Sequence, residues 1–248
     1  MVEAARLAEL IRANQPCVAL TGAGVSTESG IPDFRSPGGL WAQFDPLDYG
    51  SIDSFRSDPE RVWRFYAPRF AMLSSAEPNA AHLALAELER LGLLSAVVTQ
   101  NIDRLHERAG SRDVVEVHGS IRTSTCPGCR RTYELDDVLP LIAAGDGAPR
   151  CVDCGAVLKP DVVFFGELLP AAAIDRATEL SRAARLMLVI GSSLEVYPAA
   201  GLPRETLSAG GMLAIVNQGA TPFDGRAALR IDAAAGETLP AAVASLRA

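Results

Sequence analysis

Short apolar runs alternate along the chain with longer stretches in which apolar residues recur at helical spacing. The runs are CVAL (17–20), SAVVTQ (95–100), DVVEVHG (113–119), LMLVIG (186–191) and MLAIVN (212–217), with LRID (229–232) a weaker one. Each is rich in leucine or β-branched residues, and most end in Gly, Asn, Thr or His, the pattern of buried strands running into turns. Between them lie amphipathic stretches such as VEAARLAELIRANQP and AAHLALAELERLG, the latter with Leu83, Leu85, Leu88 and Leu91 mostly on one face. This alternation predicts an α/β fold, a Rossmann-like, mostly parallel sheet with helices on both faces.

Two stretches break the rhythm. From about Ser36 to Pro78 the chain is rich in aromatics, Pro and Asp and reads as helices and loops, and from about Ile121 to Leu158 it carries four paired cysteines. The expected division is a nucleotide-binding domain from 1–36, 79–120 and 159–248. A helical insertion (37–78) and a cysteine module (121–158) then meet as a small second domain across a cleft. The alanine-rich tail (233–244) reads as the last helix.

Length and composition narrow the class. A chain of 248 residues, 48% hydrophobic and 21% charged, can bury a sizeable core as one large domain or a domain with an appendage. Twenty-three Lys and Arg against thirty Asp and Glu leave a charge of −7, which argues against general affinity for nucleic acid. Glu3, Arg6, Glu9 and Arg12 exclude a signal-peptide core at the N-terminus, and no apolar run approaches the length of a membrane span. The expectation is a soluble, cytoplasmic protein with no membrane partner.

Cysteine spacing supplies the first chemistry. CPGC (126–129) and CVDC (151–154) stand 21 residues apart, so Cys126, Cys129, Cys151 and Cys154 form a two-knuckle set for tetrahedral zinc, redox disulfides being the alternative. Four thiolates leave no open coordination position, which makes the metal structural and sends catalysis elsewhere. Cys17, alone on the first strand, reads as a small buried hydrophobe.

The strand ends supply the second. CVAL runs into LTGAGVSTESGIPDFRS (20–36), which begins like a dinucleotide-binding turn at Gly22, Ala23 and Gly24. Thr27 stands where a third glycine is expected, and no acid ends the next strand to take a ribose hydroxyl, which counts against a hydride-transfer dehydrogenase. That next strand ends in TQNID, where Gln100, Asn101 and Asp103 can recognise a carboxamide, although Asp103 can equally cap the helix that follows. Among three histidines, His82 and His106 fall inside predicted helices as structural or surface groups. His118 ends its run at the carboxyl edge of the sheet, where ligands bind in such folds, and is the candidate general base, a strand-end cap being the alternative. Ser192, Ser193 and Asn217 follow the later strands and suit ribose or phosphate oxygens.

Taken in order, GAGVSTESGIPDFRS, TQNID, HG at 118–119, the two CxxC pairs, KPDVVFFGE (159–167) and GSSLEVYPA (191–199) resemble the motifs of the sirtuins, NAD-dependent protein lysine deacylases, from about residue 17 to the end. The resemblance implies NAD as a consumed co-substrate, one structural zinc, and acylated lysine peptides as partners. Gly22, Ala23 and Gly24 would line the pyrophosphate, Arg35 the phosphates, Gln100 the nicotinamide ribose, and Asn101 and Asp103 the carboxamide pocket. Phe34 would cover the reacting face of the ribose, and Ser192, Ser193 and Asn217 would hold the adenosine half. Thr27, Asp33, Gly191 and Gln218 complete the implied cofactor set. Gln218 stands where many members carry an acid or another polar residue, and GSS replaces the commoner GTS. Val162, Phe164, Gly166 and Glu167 would run beside the substrate peptide, added as a strand against Leu194 and Val196.

The implied reaction expels nicotinamide, and the acyl carbonyl oxygen attacks the ribose carbon left behind. His118 then takes a proton through the ribose hydroxyls, and the products are free lysine and O-acyl-ADP-ribose. Pro32 to Arg35 would close over the reacting carbon and exclude water. Tyr66 and Arg69, three apart in RVWRFYAPRFAM, resemble the pair in members that prefer succinyl, malonyl or glutaryl lysine, where a carboxylate takes charge-assisted bonds. Against this, Pro37 stands where those relatives tend to carry alanine, and Arg69 can instead cap or solvate its helix while Tyr66 packs. Related members with the pair have also been assigned ADP-ribosyl transfer or removal of bulkier acyl groups. The alternatives to deacylation are thus protein ADP-ribosyl transfer and a non-catalytic NAD- or zinc-binding interaction module.

Overall fold

Strands covered on both faces must be apolar throughout, and the runs meet that requirement. In the computed structural model, which describes residues 2–36, 38–144 and 147–247, they form β1 (Cys17–Thr21), β2 (Ala96–Thr99), β3 (Val114–Glu116), β7 (Leu186–Ile190), β8 (Met212–Val216) and β9 (Leu229–Ile231). All six pair in parallel in the order β3-β2-β1-β7-β8-β9. Along β7, Leu186, Leu188 and Ile190 pack toward α1 (Val2–Ala13), α5 (Ala80–Arg90) and α10 (Ala235–Arg247). Met187 and Val189 pack toward α8 (Ala171–Ala183) and α9 (Leu202–Ser208) on the opposite face. The strand order reverses between β1 and β7, and it is outside the carboxyl ends at such a reversal that a ligand crevice opens. Among the described residues no helix is long and apolar enough to cross a membrane.

Helix α5 shows how local chemistry sets an element. Asn79 Oδ1 accepts the N–H groups of Ala81 and His82, and His82 Nδ1 accepts the N–H of Asn79, a reciprocal cap of about 1 kcal/mol. Its buried stripe is Ala81, His82, Ala84, Leu85 and Leu88. Full burial of the two leucines stabilises the fold by about 1.5–3 kcal/mol each. Leu83 and Leu91, expected from their spacing to share this face, do not lie on it. Leu83 lies two residues from both Ala81 and Leu85 and turns outward, and Leu91 follows the last helical residue; both are exposed. The C-terminal helix likewise begins at Ala235, later than the alanine-rich stretch does, and runs to Arg247.

The interruptions build a second lobe. The first supplies α2 (Pro46–Tyr49), α3 (Ile52–Ser57) and α4 (Pro59–Ser75), the last begun by Asp58, whose carboxylate accepts the Arg61 N–H at 2.9 Å. Between β2 and β3 lies the short α6 (Leu105–Arg108). Beyond β3, the strands β4 (Gly119–Thr125), β5 (Thr132–Glu134) and β6 (Lys159–Val162) form an antiparallel sheet in the order β5-β4-β6, beside α7 (Leu135–Ala143). Against the expected boundary of the cysteine module at 158, β6 pairs with β4, so the small sheet runs to Val162. Trp63, Phe70, Val138, Leu158 and Phe164 share one core, which joins α4 to the cysteine module.

Candidate active site and metal centre

Glycine contacts at the switch point explain the opening loop. Gly22 N–H donates to Ile190 C=O at 3.1 Å and Gly24 N–H to Gly191 C=O at 2.9 Å, so the turn after β1 lies flat on the turn after β7. Gly191 has φ of +58°, and a Cβ there would stand 2.3 Å from the Val25 nitrogen. The close approach that a third loop glycine usually allows is thus provided across the sheet by Gly191. Thr27 is free for a polar role, with its hydroxyl on Gly24 C=O at 3.0 Å.

A cavity of about 970 Å³ opens above these turns and reaches between the two lobes. Apart from Leu194 and the cysteines, every expected site residue that falls among the described residues lines it. Leu194 is buried in the core beneath the sheet edge with φ of +56°, so only its backbone can face a groove. Pro37 lies outside the described residues.

The base candidate is held in one tautomer. His118 Nδ1 lies 3.0 Å from the Gln100 carbonyl oxygen, which can only accept, so Nδ1 carries the proton and Nε2 the lone pair. Burial holds the imidazole below its usual range; the bond to Gln100 partly offsets this, and the charge of Arg35 adds to it. Gln100 Nε2 in turn donates to Ser192 Oγ at 2.9 Å, tying the ends of β2 and β7 together. Arg35 pairs with Glu195 across the cavity mouth at 3.3 Å, and Asp33 Oδ1 accepts the N–H groups of Arg35 and Ser36. Phe34 rests on Trp41, ring centres 5.2 Å apart.

Beside the histidine lies a dense polar pocket. Asn101 Nδ2 donates to Gly22 C=O at 3.2 Å and to Ser26 Oγ at 3.1 Å. Ser26 Oγ donates to Asp103 Oδ2 at 2.7 Å, while Asp103 Oδ1 accepts the Leu105 N–H at 2.9 Å. Asp103 therefore has both the pocket position and the helix-start role weighed from sequence. Asn217 turns its amide to the carbonyls of Gln218 and Gly219. Ser26, the hub of the pocket, was missed in the sequence, although it sits inside the quoted loop. His82 and His106 are buried rather than at the surface, with ring centres 4.8 Å apart.

At the far end of the cavity Tyr66 packs against Phe65, Phe70 and Phe164. Burial raises its hydroxyl well above the usual phenol value. The Arg69 guanidinium lies 3.5 Å from the centre of the Phe65 ring and 5.1 Å from that of Phe44, with Nη1 donating to the Phe65 carbonyl. Its Nε is buried without a partner, and among the described residues no carboxylate pairs with it. Phe164 N–H donates to Glu167, which also pairs with Lys159 at 2.9 Å, shaping the turn beside Gly166.

The metal centre is a closed cluster. The four thiol sulfurs lie within 4.8 Å of one another, with Cys126–Cys154 and Cys129–Cys151 each at 3.4 Å. Zinc–sulfur bonds of about 2.3 Å in a tetrahedron require edges of roughly 3.8 Å, so the cluster fits a structural zinc held by Cys126, Cys129, Cys151 and Cys154. Tyr133 hydroxyl donates to Cys151 Sγ at 3.2 Å and accepts the Val152 N–H, orienting that ligand. Cys17 is buried far from this chemistry, its thiol pushed up by burial.

Residues 22–198 match the model of the Sir2 family. An NAD-dependent protein deacetylase of Caldivirga maquilingensis is 47% identical over 234 residues, 94% of this chain and 90% of the relative. NAD-dependent protein deacylase 1 of Archaeoglobus fulgidus is 43% identical over 242 residues, covering 98% and 97%. A Sir2 structure containing deacetylated p53 peptide and 3′-O-acetyl-ADP-ribose superimposes with a TM-score of 0.91 at 45% identity, over 95% of both chains.

Proposed function

The chain belongs to the Sir2 family, and from that membership we propose that it is an NAD-dependent protein lysine deacylase. It cleaves NAD to nicotinamide and transfers the acyl group of an acylated lysine to ADP-ribose, giving O-acyl-ADP-ribose. NAD is consumed as a substrate, and the zinc holds the cysteine lobe together without touching the reaction. The observation that carries the assignment of roles is the locked His118: an unprotonated Nε2 on a cavity wall shared with Asn101 and Asp103. Below its usual pKa range the ring is neutral at pH 7 and able to take the proton of a ribose hydroxyl. Asn101 and Asp103 bind the carboxamide of the departing base. Gly22, Ala23 and Gly24 leave backbone room for the pyrophosphate, and Phe34 with Arg35 screens the reacting carbon from water. An acyl-lysine peptide of another protein lies along 162–167 and 194–196. The two insertions serve as one small domain, and a reducing cytoplasm keeps its thiols free for metal.

A finer reading concerns the acyl group. A guanidinium with no carboxylate partner among the described residues, stacked on Phe65 and reached by the cavity that holds His118, favours a succinyl- or malonyl-type acyl chain over acetyl alone. Incubating the protein with NAD and acetyl-, succinyl- or longer acyl-lysine peptides, with mass spectrometry of the products, tests both readings. His118→Ala should lower nicotinamide release and O-acyl-ADP-ribose by at least ~100-fold. Arg69→Met should lower succinyl turnover at least ~10-fold more than acetyl turnover. NAD left intact by the wild type would end the deacylase reading. Protein-bound ADP-ribose as the sole product would put ADP-ribosyl transfer in its place, and acetyl preference that persists in Arg69→Met would remove the acidic-acyl reading.

A further inference from the structure

Behind the polar pocket, six buried residues are joined by hydrogen bonds that close into a circuit through the backbone N–H of Asn101 and the peptide link from Leu105 to His106. Thr21 and Thr99 end β1 and β2 and are register partners. Thr21 Oγ1 donates to Thr99 Oγ1 at 2.8 Å, so it must accept from His106 Nε2 at 2.9 Å, and His106 therefore carries its proton on Nε2. Thr99 Oγ1 also accepts the N–H of Asn101 at 3.1 Å. From Asn101 the circuit continues through Ser26 Oγ to Asp103, and Asp103 accepts the N–H of Leu105, the residue preceding His106. All six residues are at most 9% exposed. Both amide hydrogens of Asn101 are spent on Gly22 C=O and Ser26 Oγ, which leaves its Oδ1 as the only uncommitted polar atom of that side chain.

We propose that His106 is a positioning residue: it closes this circuit and thereby aims Asn101 Oδ1 at the carboxamide of the nicotinamide leaving group. The proposal rests on the reading of Asn101 and Asp103 as the carboxamide pocket. The imidazole touches neither substrate. It acts through Thr21 and Thr99 on the backbone N–H that fixes residue 101, and His82, whose ring is tilted 59° against it and bonded to Ser26 at 3.4 Å, supports the other side of the loop. A buried donor lost from such a circuit leaves Thr21 without its partner and frees the loop to rotate.

The test compares His106→Phe, which fills the space without donating, with His106→Gln, which keeps a donor, and with Thr21→Val, which removes the hydroxyl at nearly constant shape. With NAD and acyl peptide, His106→Phe and Thr21→Val should each lower kcat about tenfold and raise the inhibition constant of free nicotinamide about tenfold, with KM for the peptide within about twofold; the fold-change is that of one net buried hydrogen bond. His106→Gln should recover most of both losses. Amide hydrogen exchange of the segment 100–103, measured without NAD, should accelerate about tenfold in the two disruptive variants, and this readout stands apart from activity. A wild type that leaves NAD intact would remove the functional reading while exchange still decides the circuit. Unchanged exchange and unchanged nicotinamide inhibition in folded His106→Phe would overturn the proposal. So would a parallel fall in kcat, peptide binding and thermal midpoint, the mark of a purely structural role. If His106→Phe does not fold, Thr21→Val decides by the same criteria.

Discussion

Lowering the pH from 7.5 to 5.5 should cost the fold about 2.7 kcal/mol through His82 and His106 alone. These side chains are 0% and 2% exposed, and burial pushes them to about 4 and about 3 respectively, Asp103 partly offsetting the effect at His82 and His82 adding to it at His106. In the unfolded chain both titrate near the ordinary value of about 6.5. Since the folded values lie below the unfolded ones, protons bind the unfolded chain preferentially as pH falls from about 6.5 toward about 4, and stability drains across that window. At pH 5.5 each histidine contributes a loss of about 1.3 kcal/mol relative to pH 7.5, a large share of the ~5–15 kcal/mol that holds a typical domain together. Urea unfolding followed by circular dichroism at both pH values measures it. His106→Gln, which cannot titrate, should lose about half as much of this increment as the wild type. Any contribution from His118 has the same sign and cancels in that comparison. A wild type equally stable at pH 5.5 and 7.5, or a His106→Gln variant with the full wild-type loss, would refute the picture of two neutral buried imidazoles.

Two further outcomes bear on the glycine contact and the cysteine cluster. Gly191→Ala should weaken NAD binding at least ~30-fold by calorimetry, because a Cβ 2.3 Å from the Val25 nitrogen must push the loop away and the positive φ adds strain; wild-type affinity would contradict the contact. The purified protein should hold one zinc per chain by elemental analysis. Cys151→Ala or a strong chelator should release it and open residues 121–158 to proteolysis before the parallel sheet, since metal binding of roughly 10–16 kcal/mol is stability belonging to that lobe.

The parallel sheet was legible because its strands are buried on both faces, so CVAL, LMLVIG and MLAIVN carry continuous apolar signals that no local competitor disturbs. The small sheet was not. β5 is three residues long with an exposed-buried-exposed pattern, and β6 contains Pro160, so neither run stands out, and their pairing is fixed by the cysteine cluster and Trp63. Most cavity residues could be read because strand ends and turn motifs announce themselves. What stayed hidden was the network behind them. Thr21, Thr99, Ser26 and His106 are brought together by register and by α6, and no spacing along the chain encodes that meeting.

The link between the two sheets has a mechanical consequence. Only Val117 and His118 separate β3 from β4, and His118 is claimed from both sides: its ring donates to Gln100 on the parallel sheet, while its own carbonyl accepts the N–H of Val163 in the segment after β6, at 2.8 Å. Rotating one lobe against the other must therefore swivel the imidazole or snap one of these tethers. Through the ring and the carbonyl of this single residue, the alignment of the two lobes and the aim of the imidazole become one mechanical setting.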